Sequence, residues 1–218
     1  MSRMKLALVA LATTLASSHA NAFFIDSTGD SLSFSWSYAG GGYNLKGVGT
    51  MTAIDLQADS LTLDISLTNN TVAPMGKNAR LTAFGFGIDP NVTGVTFGDN
   101  SDGGMVNAVL DDIPSLKAIE VCAFGGVNCP GGSNGGIFAN GASDTFSLTL
   151  TGDFANGATI DPVGYKYQTN YGSYEFSCTA DAAGQCGGGR TVPEPGSLAL
   201  LGIIAAAYGA VRRRRPPR

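Results

Sequence analysis

The chain has 218 residues, 44% of them hydrophobic and 14% charged, and a formal net charge of −4. This is room for one domain with a sizeable core. Its single histidine is His19, and the residues around it decide which chemistries remain.

Residues 1–22 fall into three zones: Arg3 and Lys5, an apolar run from Leu6 to Leu15, and a small polar stretch ending in Ala20-Asn21-Ala22. A positive start, a short apolar core and a small-x-small site predict a secretory signal peptide cut before Phe23. The apolar run is too short for a comfortable membrane span. Export removes His19, so Ser-His-Asp or Cys-His catalysis and histidine-ligated zinc or copper are excluded from the mature chain. It also changes the charge: residues 23–190 hold six basic and sixteen acidic residues, a net of −10. Such a body repels nucleic acid and anionic lipid and suits solubility or cation binding.

The body, 23–186, reads as strand after strand. SLSFSWSY sets Leu32, Phe34, Trp36 and Tyr38 on one face and serines on the other. SLTLDISLT does the same with Leu61, Leu63, Ile65 and Leu67, and DTFSLTLTG with Phe146, Leu148 and Leu150. Period-two alternation means one buried and one wet face. Weaker strands are expected over 43–54, 80–88, 92–97, 115–124, 164–168 and 173–178, separated by turns such as AGGG, TNNT and PGGSNGG. Only 105–112 admits a helical turn. The expected fold is all-β, an antiparallel β-sandwich of jelly-roll type.

Four cysteines lie in the body as two close pairs, Cys122 with Cys129 and Cys178 with Cys186. In an oxidising compartment the simplest reading is two local disulfides among three possible connectivities. A bridge closing so short a loop is worth about 2 kcal/mol and pins loops. The rival, one zinc held by four thiolates, lacks the tight ligand spacing of such sites.

Loop 98–104, GDNSDGG, offers Asp99, Ser101 and Asp102 oxygens to a calcium ion, with Gly103 allowing a sharp turn. Its spacing departs from the EF-hand, with Leu110 at the twelfth position, and the competing reading is a solvated turn. Trp36, Tyr38, Tyr43, Tyr165, Tyr167, Tyr171 and Tyr174 could stack on sugar rings, although those on regular strand faces suit a core. The only glutamates in the body are Glu120 and Glu175. Both sit in strand-like segments, and neither is assigned a catalytic role. The isolated Thr50-Met51-Thr52 and Thr149-Leu150-Thr151 lack the repeat an ice-binding array needs.

After a flexible linker, 187–192, Pro193-Glu194-Pro195 cannot be helical. Residues 196–211 are sixteen in a row without charge, then come Arg212, Arg213, Arg214 and Arg215. As a helix this run is about 24 Å long, short of a hydrocarbon core of about 30 Å. The arginines would hold the C-terminus in the cytoplasm. Motif, apolar run and basic end, in that order and over 193–218, resemble the PEP-CTERM sorting signal of exported bacterial proteins. The resemblance implies an exosortase that cuts near the Pro-Glu-Pro, transient residence in the inner membrane, and delivery to the surface of a Gram-negative bacterium that makes extracellular polysaccharide. The same tail is also labelled an ice-binding protein C-terminal domain, which says nothing of the body. An uncut single-pass anchor is the alternative.

Three readings of the body follow. One is a structural or adhesive component of the surface or biofilm matrix, with extracellular polysaccharide as a partner and no cofactor. The second is a carbohydrate- or calcium-binding module. The third, a glycan-active enzyme, has the weakest inventory, and the expectation is a protein without catalytic activity.

Overall fold

A computed structural model describes residues 22–40, 42–99, 104–130, 135–179 and 185–186. The elements are β1 (Phe23–Ile25), β2 (Ser31–Gly40), β3 (Tyr43–Leu56), β4 (Ser60–Asn69), β5 (Ala79–Asp89) and β6 (Gly94–Asp99). They continue with β7 (Asn107–Leu110), β8 (Val121–Phe124), β9 (Ala142–Thr151), β10 (Ala158–Thr169), β11 (Gly172–Cys178) and β12 (Gln185–Cys186). One six-stranded sheet runs β1-β10-β5-β8-β7, with β11 beside β1 on the same edge of β10; the other runs β12-β2-β3-β4-β9-β6. All pairings are antiparallel except β12 with β2. Among the described residues there is no helix.

The two sheets face each other across one core, and the alternation predicted for β2, β4 and β9 is what fills it. Leu32, Phe34 and Trp36, Leu61 to Leu67 by twos, and Phe146, Leu148 and Leu150 are all buried. Phe84, Phe86, Val163, Tyr165 and Tyr167 meet them from the opposite sheet. Rings interlock across the gap: Phe34 stacks on Phe84 with centroids 5.7 Å apart, and Trp36 on Tyr165 at 4.4 Å. Each such side chain is worth about 1.5–3 kcal/mol on burial, so the core dominates stability.

β5 breaks the one-face rule, because eight consecutive residues, Leu81 to Ile88, are buried. Its outward positions carry Ala83, Gly85 and Gly87, and a second apolar cluster of Ala83, Ile113, Ile119, Cys122, Phe124 and Cys129 lies against them. The glycines let a loop rest directly on the sheet. A Cβ at Gly85 would stand 2.6 Å from both Ile119 Cγ2 and the Val121 carbonyl oxygen, and one at Gly164 2.8 Å from Ile119 Cδ1. This corrects two expectations. Residues 115–120 form part of that covering loop, and only Val121–Phe124 is strand; and 105–112 holds a strand, β7, where a helical turn was admitted. Pairing to Cys122 and Val121 on one side fixes β7 as extended backbone.

Replacing Gly85 by alanine therefore forces the covering loop off the sheet and should lower unfolding free energy by about 2 kcal/mol. Gly94→Ala, whose Cβ would meet only the Thr151 side chain, at 3.4 Å and beyond, should leave it within about 0.5 kcal/mol. Urea midpoints of the two variants check the contrast.

Candidate functional site

The strand register divides the molecule into two ends. The tip carries the β2–β3 turn, loop 70–78, segment 137–141 and the β10–β11 turn at 170–171. The base carries 26–30, 57–59, 90–93 and 152–157. Under the tip sits Asn69, fully buried, whose amide uses every position it has. Its Nδ2 donates to the carbonyls of Ala79 (3.0 Å) and Ile137 (2.9 Å), while its Oδ1 accepts from Thr71 N (3.1 Å) and the Tyr167 hydroxyl (3.2 Å). The same hydroxyl accepts from Trp36 Nε1 at 2.9 Å. Burial pushes the Tyr167 hydroxyl up to about 12, against the pull of its hydrogen bonds to Trp36 and Thr71.

Two more asparagines lock the loops above this node. Asn140 Oδ1 accepts from Ala73 N at 3.1 Å, and Asn170 Oδ1 accepts from Asn78 N and, at 3.4 Å, from the Tyr43 hydroxyl. What they hold up is amphipathic. Val72, Met75, Phe138 and Tyr171 are exposed, Met75 wholly so. Lys77 Nζ lies over the Tyr171 ring, 5.4 Å from its centroid, and the Arg80 guanidinium over Phe138 at 4.4 Å. The base is of the opposite sign, with Asp26, Asp30, Asp55, Asp59, Asp89 and Asp153. There the Asp30 carboxyl is held below its ordinary range by hydrogen bonds from the backbone of Asp26 and Ser27. An open hollow of about 630 Å³ between Phe24, Leu56 and Phe154 also lies at this end.

On the outer face of the β10 sheet, Lys166 is buried beneath the covering loops. Its Nζ bonds Glu175 Oε1 at 2.9 Å and the Pro130 carbonyl at 2.7 Å. Glu175 Oε2 accepts from Ser115 N (2.9 Å) and Oγ (2.5 Å). Burial alone would raise the Glu175 carboxyl; the Ser115 and Lys166 hydrogen bonds and the Lys166 charge together outweigh it and hold it below its ordinary range. A carboxylate so occupied is a brace between two loops. Glu120 borders an open hollow of about 300 Å³ with Asn91, Asp111, Asp112 and Lys117, and its buried Oε2 has no hydrogen-bond partner among the described residues. Lys117 is paired with Asp112 at 2.5 Å.

The remaining sequence-predicted residues are distributed as follows. Cys122 and Cys129 are bonded, with Cα atoms 6.3 Å apart. Cys178 is disulfide-bonded, and the side chain of Cys186 lies outside the described residues. Asp99 ends β6 in its backbone only, while Ser101 and Asp102 lie outside the described residues. Among the described residues no three of His, Cys, Asp and Glu are grouped to hold a metal. Of the seven rings considered for sugar stacking, Trp36, Tyr43, Tyr165 and Tyr167 are buried, Tyr38 and Tyr174 flank the core, and Tyr171 alone is exposed. The tip was missed: Val72, Met75 and Lys77 fall in a stretch that reads only as a loop, and its one signal is unsheltered Val and Met beside proline and glycine.

Residues 193–195, the apolar run 196–211 and the arginines 212–215 also lie outside the described residues. Among those described, no helix is long and apolar enough to cross a membrane. Comparison with known families finds one match here, the PEP-CTERM protein-sorting motif, over residues 191–215. The tail is a PEP-CTERM sorting motif. No curated protein and no solved structure matches the chain. PEP-CTERM motifs imply processing by an exosortase, export, and a membrane-anchored stage before the cell surface.

Two variants probe the geometry. Glu175→Gln strands the buried Lys166 charge and should cost about 3 kcal/mol at neutral pH. The lowered carboxyl contributes stability above its unfolded value near 4.5 and loses it as pH falls through the folded value, so the gap to wild type should narrow in acid. Denaturation at both pH values reads it. Asn69→Asp removes both donors, to the Ala79 and Ile137 carbonyls, should cost about 2–3 kcal/mol, and should speed hydrogen exchange at the amide of Ile137 before the rest of the core. Unchanged protection there would refute the role given to Asn69.

Proposed function

We propose that this is an exported surface or extracellular-matrix protein of an exopolysaccharide-producing Gram-negative bacterium, whose body is structural or adhesive and not catalytic. The observation that carries the sorting half is the match over 191–215. In this reading residues 1–22 are removed on export, 23–186 form the body, 187–192 the linker and 193–218 the sorting signal. The run 196–211 holds the chain in the inner membrane, and Arg212 to Arg215 stop it there. Exosortase then takes Pro193-Glu194-Pro195, which the prolines keep extended as a protease needs.

The structural reading of the body is supported by the use made of its polar side chains. Lys166 and Glu175 are spent on each other, as are Asn69 and Tyr167. A jelly-roll classification is favoured by the repeated crossing of the chain between sheets, from β4 to β5, β5 to β6, β6 to β7, β8 to β9 and β9 to β10. The test is Pro193→Ala, Glu194→Ala and Pro195→Ala together. The variant should accumulate in the inner membrane at full length and be lost from the cell surface, both read by fractionation and mass of the intact chain. Surface delivery at the wild-type level would overturn the sorting role.

A further inference from the structure

We propose that the tip docks on the anionic lipid surface of the membrane that holds the tail, setting Val72, Met75, Phe138 and Tyr171 among the headgroups with Lys77 and Arg80 on their phosphates. The inference rests on the tail being a membrane anchor, and it adds which way the body stands.

Three observations carry it. First, the tip combines exposed apolar side chains with cations lying over two of its rings, a composition that suits a headgroup layer. Second, charge is segregated. Lys46, Lys77 and Arg80 lie in the tip half, where Asp144 is buried with its carboxylate on Met105 N and Glu175 is paired with Lys166. The side chains of Asp99, Asp102 and Asp181 lie outside the described residues, so the segregation is that of the described charges. The aspartates of the base stand at the other end of strands about ten residues long, roughly 30 Å away. That is several times the Debye length of about 8 Å at physiological salt, so their repulsion does not reach a surface met by the tip.

Third, the leash is short and aimed. β12 runs parallel to β2, with Cys186 level with Trp36, and β2 ends at the tip with Gly40. Gln185–Cys186 thus points toward the tip, and Cys186 stands about 13 Å short of the end of β2. Residues 187–195 reach no more than about 35 Å before the apolar run begins. Taken straight, that leaves the tip within roughly 20 Å of the bilayer's apolar edge. The opposite orientation would press the acidic base on anionic lipid. A glycan occupant is disfavoured by the rings themselves, since Tyr171 has Lys77 over its face and Tyr43 5.7 Å away, and Phe138 is covered by Arg80.

Met75 supplies the probe, being wholly exposed while Met51 and Met105 are fully buried. The full chain is held by its own tail in vesicles rich in phosphatidylglycerol, in vesicles of phosphatidylcholine alone, or in neutral detergent, and methionine oxidation is followed by mass spectrometry. Docking predicts that Met75 oxidises several-fold more slowly on the anionic vesicles than in detergent. The protection should be weaker on the neutral vesicles, should fall as salt is raised, and should vanish in Lys77→Glu/Arg80→Glu. Unreactive Met51 and Met105 report that the variant is folded; should they react, the salt and lipid series on the unaltered chain still decide. Met75 as reactive on anionic vesicles as in detergent, with the chain resistant to alkaline extraction, overturns the docking and leaves the anchor standing. A chain washed off the vesicles overturns both. Protection that grows with protein concentration in detergent would assign the tip to a second copy, and protection given only by an added anionic polysaccharide would assign it to a glycan; either overturns the proposal.

Discussion

The carboxamide of Asn69 is the constraint on which the tip depends. β4 ends there, and two donors and two acceptors are satisfied by four different segments: the start of β5, the 137 bridge, Thr71 and Tyr167 of the opposite sheet. A buried amide left with one partner short would be destabilised by about 1–3 kcal/mol. The four contacts are thus mutually required, and loops 70–78 and 137–141 have a fixed floor. Trp36 completes the link by donating to Tyr167, so the aromatic core and the tip share one polar joint. Such a joint specifies a unique arrangement where an apolar contact would tolerate several.

The β10 sheet meets a different problem. Its inner face fills the core, but its outer face would be a broad apolar surface if left bare. Glycine and alanine on β5, and Gly164 on β10, let the 111–120 loop lie flush, and the Cys122–Cys129 bridge gathers the next loop beside it. Lys166 then acts as a rivet. It sits outward on β10 under both loops and needs Glu175 and the Pro130 carbonyl to be tolerable there, and Glu175 in turn holds Ser115. Removing charge from this brace would free two loops at once. The same geometry explains why the glutamate reads as strand from the sequence but is not a free acid in the fold.

Sequence pattern revealed the strands with one wet face, because alternation of Leu, Phe and Trp with Ser and Thr has a single physical meaning. It failed where both faces are covered or where pairing is supplied from elsewhere. β7, NAVL, is too short to alternate and is extended only because β8 lies beside it. The start of β10 was hidden by Asp161-Pro162, since proline argues against a strand interior; the register to β5 shifts there, so an irregular position accommodates it. Residues 115–120 have strand-like composition, but glycines on the neighbouring sheet turn that apolar content into a lid. β1, three residues long, carries no period at all. The sorting motif was legible because it is local in sequence, whereas the tip is assembled from segments 67 to 127 residues apart.

Net charge, like local pattern, is blind to where residues lie in space. A body at −10 argues against anionic lipid only if its charges are mixed, since a screened surface feels what lies within a Debye length and little else. Here the strands run nearly end to end of the molecule, so residues at strand starts and strand ends are sorted to opposite poles. Aspartate favours the turns of one pole, and Lys77 and Arg80 fall on the loop and strand start of the other. The polarity is then a property of the topology: the antiparallel register that places Asp89 beside Thr159 also places Arg80 beside Gln168. With β12 parallel to β2, Gln185 and Cys186 run along the same axis. A domain tethered along its own charge axis presents one pole to whatever holds the tether. On the docking proposed above, a tail ending in a basic stop behind an apolar run would meet the pole bearing Lys77 and Arg80.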